Sequence, residues 1–295
     1  MKFSFYTYFL FGALILPFSA MAQDDPMKLL EQRDSVKNEV VSATFKGTHV
    51  INFNSVETVG PRTLEFQIQH RFGPFNSGGY NLFGLDQGAT IRLGLSYSFN
   101  GKFEFGIGRS SIDKQYDTYV KSRVLRQSIG KMPVSLTLFG GAYYTTVHDN
   151  QVVPGIDRYE YTSSRFSYVA QAIVARKFNE NLSLQLSPML IHYNLVDKIT
   201  DKNDIMALGL AGRYKLTRRM ALTTEYGLRI NNYSLQQYYN SFGLGWEIET
   251  GGHVFQVVFT NSLGITENQF IPYTNTKWSN AGIRLGFNIS RVFTL

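Results

Sequence analysis

The sequence predicts an all-β protein: a closed, antiparallel, up-and-down transmembrane β-barrel of about 12 strands, with short periplasmic turns and long extracellular loops. Three observations predict it. Segments of roughly ten residues, the span of a tilted membrane strand, alternate between an apolar parity and a parity of Gly, Ser and charge. The links between those segments are short and long in strict alternation. Charged residues make up only 17% of the 295, aromatics reach 15% with 18 Tyr and 23 Phe, and mean hydropathy is −0.15, so apolar residues are interleaved rather than massed. A soluble sheet sandwich would place Lys, Glu and Thr on its second face. Here that face carries small residues and opposed charges, which suits the crowded inside of a closed barrel.

The first 22 residues read as a cleavable signal peptide. Lys2 gives a basic start, Phe9 to Phe18 form an apolar stretch, and Ala20-Met21-Ala22 is a small-x-small cleavage pattern. Residues 23–61 are expected in the periplasm or inside the lumen, and residues 62–295 as the barrel. No apolar run of the length a membrane helix needs follows the leader. The absence of cysteine excludes disulfides, thiolate metal sites and a thiol nucleophile.

Strand one sets Leu64, Phe66, Ile68 and Phe72 against Glu65, Gln67, Gln69 and Arg71. Successive side chains of a strand face opposite sides, so the first set is expected in lipid and the second in the lumen. Strand two opposes Ile91, Leu93, Leu95 and Tyr97 to Arg92, Gly94, Ser96 and Ser98. Strand three opposes Phe103, Phe105 and Ile107 to Glu104, Gly106 and Gly108. Strands four, five and six (DTYVKSRVLRQ, PVSLTLFGGAYYTT, RFSYVAQAIVARKF) alternate less cleanly. Strand seven sets Leu182, Leu184, Leu186 and Leu190 against Ser183, Gln185 and Ser187. DIMALGLAGRY is the eighth. The ninth opposes Met220, Leu222, Tyr226 and Leu228 to Thr223, Glu225, Gly227 and Arg229. The tenth opposes Phe242, Leu244, Trp246 and Ile248 to Gly243, Gly245, Glu247 and Glu249. HVFQVVFTNS is the eleventh, and the last sets Leu285, Phe287 and Ile289 against Arg284, Gly286 and Asn288.

Asn100-Gly101 between strands two and three is a type I′ hairpin signal. Other short links fall near Gly130, Asn179, Leu216 to Arg219, and Gly251-Gly252. The first hairpin loop is long, so strand one rises outward and an even strand number returns the C-terminus to the periplasm. The aromatics Tyr97, Phe99, Phe103, Tyr143, Tyr144, Tyr214, Tyr226, Trp246 and Phe293 are expected at strand ends or on the outer wall, as an interfacial girdle.

Several segments together resemble one known family: TFKGTHVINFNSVET, QHRFG, NLFGLDQGATIRLGLSY, VLRQ and GIRLGFNISRVFTL. The set is similar to the Bacteroidota family of membrane-bound β-barrel domains of unknown function, and spans almost the whole mature chain. The resemblance implies a location in the cell outer membrane. It carries over no activity and no binding residues.

The chemistry-bearing candidates are the inward charges Glu65, Arg71, Arg92, Glu104, Arg213, Glu225, Arg229, Glu247, Glu249 and Arg284. They suit a constriction that passes or binds a small polar or anionic solute. They equally suit ion pairs closing a narrow lumen, in which case the barrel is structural or binds a partner through its outer loops. Twelve-stranded outer-membrane lipases place Ser and His on the outer wall, which makes His70 and His192 the candidates for a third reading, lipid hydrolysis. The chain holds no G-x-S-x-G elbow. No cofactor, metal or nucleic-acid site is expected, because no nucleotide loop or ligand-spaced His set occurs and Asp197, Asp201 and Asp204 are too irregular for a calcium loop. The expected partners are outer-membrane lipid and a small solute or periplasmic protein.

Overall fold

The computed structural model describes residues 40–148, 158–231 and 233–295. The expected signal peptide, 1–22, and residues 23–39 of the segment after it lie outside the described residues.

Twelve strands close into one antiparallel barrel: β1 Thr63–Pro74, β2 Thr90–Ser98, β3 Phe103–Ser110, β4 Tyr116–Leu125, β5 Ser135–Tyr144, β6 Phe166–Lys177, β7 Leu182–Tyr193, β8 Asp204–Lys215, β9 Met220–Arg229, β10 Ser241–Thr250, β11 His253–Thr260 and β12 Arg284–Thr294. Each strand pairs with its sequence neighbours, and β1 closes the sheet on β12 with Thr63 opposite Thr294. Closure leaves no unpaired sheet edge, which hydrocarbon would not solvate. At the β2–β3 turn Gly101 has φ +71°, a conformation glycine adopts without steric cost. The Asn100 Oδ1 accepts hydrogen bonds from the amides of Lys102 (2.9 Å) and Phe103 (3.0 Å), fixing the reversal.

The two parities separate as the pleat dictates. Along β1, Thr63, Glu65, Gln67, Gln69 and Arg71 are buried while Leu64, Phe66, Ile68 and Phe72 are half-exposed. On the outer wall Leu93 is 45% exposed and Ile107 60%, as side chains solvated by acyl chains would be. Phe99, Phe103, Tyr214 and Trp246 are exposed toward the short-turn end. Tyr143 departs from the expected girdle. It is 3% exposed and faces inward, because the unbroken alternation of β5 puts it on the buried parity with Ser135, Thr137, Phe139 and Gly141.

The inside is packed, and from both ends. From the short-turn end residues 40–61 run into the lumen and reverse in a tight hairpin. His49 bridges Asn54, and the Val50 amide donates to the Phe53 carbonyl at 2.8 Å. From the long-loop end the β11–β12 connection folds inward and carries helix α1, Glu267–Tyr273, whose residues 267–272 are buried. Phe45, Val50, Phe53, Val56, Phe270 and Ile271 form one apolar cluster with the inward side chains Val169, Ile173, Met189, Ile191, Ile205 and Ala207 of β6, β7 and β8. The inner face is therefore not uniformly small and polar. On these strands it is apolar, because it meets a hydrophobic plug rather than water.

Candidate functional site

The inward polar side chains face the hairpin from every side, and many of them hydrogen-bond its backbone. A backbone amide or carbonyl taken out of water needs a partner. The hairpin makes few of its own, so the wall supplies them. Glu225 Oε2 accepts from the amides of Asn52 (2.9 Å) and Phe53 (3.1 Å) at the tip. Glu104 Oε2 accepts from the Val59 amide (2.8 Å), and Lys121 Nζ donates to the Thr48 carbonyl (2.8 Å). Gln256 Nε2 donates to the Val50 carbonyl (2.7 Å), Asn288 Nδ2 to that of Ile51 (2.8 Å) and Thr137 Oγ1 to that of Val56 (2.6 Å). Gln185 both accepts from the Val56 amide (3.0 Å) and donates to the Asn54 carbonyl (2.8 Å).

The sequence-predicted charges divide into three groups. Glu65, Arg71, Glu104 and Glu225 hold the hairpin: Glu65 accepts from Thr48 Oγ1 (2.6 Å) and Arg71 donates to Asn52 Oδ1 (2.7 Å). Glu249 pairs with Lys46 at 2.5 Å on the same segment. Arg92 and the Arg213–Glu247 pair make wall-to-wall bridges instead. Arg92 pairs with Asp117 at 2.6 Å and Arg213 with Glu247 at 2.7 Å. Arg229 and Arg284 cap backbone carbonyls near the long-loop end, those of Tyr238 (2.5 Å) and Phe72 (3.4 Å). Asp117 and Lys121 belong to this network but were not legible, because the alternation of β4 is too broken to assign parity.

The two plugs meet midway. Glu267 Oε1 accepts from Asn54 Nδ2 (2.8 Å) and from its amide (3.3 Å), while the rings of Phe53 and Phe270 pack edge to face. Around the hairpin, the voids left against the wall measure about 20 and 10 Å³, room for single waters. Above α1 the lumen widens into a cavity of about 340 Å³ at the long-loop mouth. Its strand side is Gln115, Tyr143, Ser167 and Tyr193, and its α1 side is Asn268, Gln269 and Tyr273. One helix thus lines the cavity and meets the hairpin that fills the lumen beneath it. Asp113, at the rim, takes φ +53°. Its carboxyl is held above the ordinary range by burial and by Asp197, with Arg158 opposing. Burial and Asp197 likewise push the Tyr273 hydroxyl up.

The hydrolase candidates do not converge. His70 stands on β1 and His192 on β7, half the barrel apart. His70 stacks on Phe287 at 4.9 Å, and His192 Nδ1 lies 2.7 Å from Asp204 Oδ1. Among the described residues no group of three His, Asp or Glu is placed to hold a metal ion.

A family model described as "Membrane bound beta barrel domain (DUF5777)" matches residues 45–293. Among solved structures, the chain is similar to NanC porin, with 8% identity, 79% of this chain and 99% of that one covered, and a TM-score of 0.47. It is similar to KdgM porin, with 8% identity, coverage of 79% and 99%, and a TM-score of 0.46. The Acinetobacter baumannii outer membrane protein Omp33 matches with 10% identity, coverage of 79% and 98%, and a TM-score of 0.42. No curated protein matches the sequence.

Proposed function

The chain belongs to the membrane-bound β-barrel domain family, and from that premise we propose that it is an outer-membrane barrel that binds a small polar solute at its long-loop mouth and keeps the lumen beneath it shut. The long loops face outward and the short turns face the periplasm, the usual layout of such barrels. The observation that carries the reading is the contact of hairpin and α1 in mid-lumen, Asn54 to Glu267 at 2.8 Å, with two water-sized voids beside the hairpin among the described residues. The inward charges, whose hydrogen bonds go to hairpin and wall, then act as a lock on the plug.

A second reading is a pore that opens when the hairpin withdraws. What favours it is the polar character of the hairpin–wall interface. Those hydrogen bonds can be exchanged for water, at a net cost of about 0.5–1.5 kcal/mol each. Planar-bilayer recording of the purified full chain tests both. The closed reading expects no conductance steps from the intact protein and sustained steps once residues 40–58 are deleted. Sustained conductance from the intact chain would overturn closure. Voltage-dependent bursts from it would favour the second reading.

A further inference from the structure

We propose that the mouth cavity is a binding site for an uncharged saccharide. This rests on the reading that the mouth takes a polar solute, and narrows that solute to a chemical class. The cavity, about 340 Å³, lies within the range of small-molecule sites, roughly 300–1,000 Å³. Its lining carries Arg158 and Arg165 against Asp113 and Asp197, a formal balance of zero, and Arg158 is already bridged to Asp197. Among the described residues that line it, a net anion or cation finds no excess charge. That argues against the anionic solute which the sequence left open.

The uncharged part of the lining has two kinds of surface, set close together. Tyr193 and Tyr273 stand at 67° with ring centroids 5.8 Å apart, giving apolar faces with polar tips. Beside them is a network of groups that both donate and accept. Asn268 Nδ2 donates to Gln115 Oε1 (2.7 Å) and to Ser167 Oγ (3.0 Å), and Gln115 Nε2 donates to Thr266 Oγ1 (3.0 Å). The network fixes the amides: Asn268 Oδ1 is filled by Thr266 Oγ1 (2.7 Å) and Gln115 Nε2 (3.4 Å), while Gln115 Oε1 accepts one bond and keeps a second lone pair. A sugar ring has the matching duality: an apolar C–H face for the tyrosines, and hydroxyls at its edge that donate and accept.

Saturation-transfer difference NMR on the full-length protein in detergent tests the site. The probes are maltose, galactose and N-acetylglucosamine, with citrate and adenosine as charged and planar comparators. The expected result is transfer to ring C–H protons of at least one sugar, weaker by roughly three- to tenfold in Tyr273→Leu, which keeps apolar bulk but loses the ring. Transfer to none of the three sugars by the wild type overturns the proposal, whatever the variant does. Transfer that is undiminished in a folded Tyr273→Leu overturns the placement in this cavity. Binding of citrate or adenosine alone would sink the saccharide class while leaving a polar-solute mouth intact. Lumen closure is read separately, by conductance.

Discussion

Phe53, entering from the short-turn end, and Phe270, entering from the long-loop end, meet edge to face with ring centroids 4.9 Å apart and planes at 82°. Each is almost wholly buried. The pair joins two polypeptide segments that reach the middle of the barrel by opposite routes. It also gives a membrane barrel an apolar core on the inside of its wall, with lipid on the outside.

Phe53→Ala should therefore act as a core truncation. Burial of a phenylalanine in a packed interior is worth about 3–5 kcal/mol on truncation to alanine. The loss should fall on the plug first, since the twelve strand pairings do not involve Phe53. The expected outcome is faster protease cleavage within residues 40–60, with barrel melting in detergent lowered less. Unchanged protection of that segment would contradict the packing described.

Glu225 holds the hairpin tip by accepting from two consecutive amides. Glu225→Ala leaves both donors buried without that partner, at about 1–3 kcal/mol apiece. Glu225→Gln keeps one acceptor oxygen and should recover part of the loss. Hydrogen exchange at the amides of Asn52 and Phe53 should rise in the order wild type, Gln, Ala. Equal protection in all three would show that the carboxylate does not fix the tip.

The wall was legible for a simple reason. A strand half in lipid and half in the lumen must alternate, and a one-residue slip would reverse every side chain. Hence β1, β2, β3, β9 and β10 could be read residue by residue, and Asn100-Gly101 fixed the first turn. The filling of the lumen was harder to read, because hairpin and α1 are held by contacts far apart in sequence. The seven-residue α1 carries a proline and no helical period. One signal was present all the same. In β6 and β8 both parities are apolar, with Val169, Ile173, Ile205 and Ala207 on the inward side. A water-filled lumen gives no reason for that, and a hydrophobic plug does. Tyr143 was misplaced for the same reason: its inward position makes sense only with Glu267 to meet, 3.5 Å away.

Glycine on the inner face makes room at defined points, and two substitutions separate that role from mere flexibility. A Cβ on Gly106 would lie 2.1 Å from Cζ of Tyr119, its cross-strand partner on β4. Gly106→Ala must push that ring away from Glu104, to which the Tyr119 hydroxyl donates at 3.1 Å. Overpacking of this kind costs about 1–3 kcal/mol. Gly140, on the exposed parity of β5, has nothing within 4 Å of an added Cβ, so Gly140→Ala should leave the melting temperature unchanged. Equal effects of the two substitutions would count against the steric account.

Arg92 on β2 reaches Asp117 on β4 across the intervening β3, and Gly108 lies beneath the bridge. The guanidinium donates through Nε (3.0 Å) and Nη2 (2.6 Å) to the two carboxylate oxygens. A Cβ on Gly108 would come within 2.5 Å of Nη2. Both partners are buried, at 3% and 2% side-chain exposure. Removing one charge should therefore be worse than removing both. Asp117→Leu strands a buried guanidinium, at about 3–5 kcal/mol. Gln69 Oε1, 3.0 Å from Arg92 Nη1, offsets part of that. The double variant Arg92→Met with Asp117→Leu replaces the pair by apolar bulk and should melt close to the wild type, or above it. Thermal unfolding in detergent, scored by loss of the fast-migrating folded band on gels, ranks the three proteins. A double variant as unstable as Asp117→Leu alone would mean that the bridge itself, rather than the stranded charge, dominates at this point of the wall.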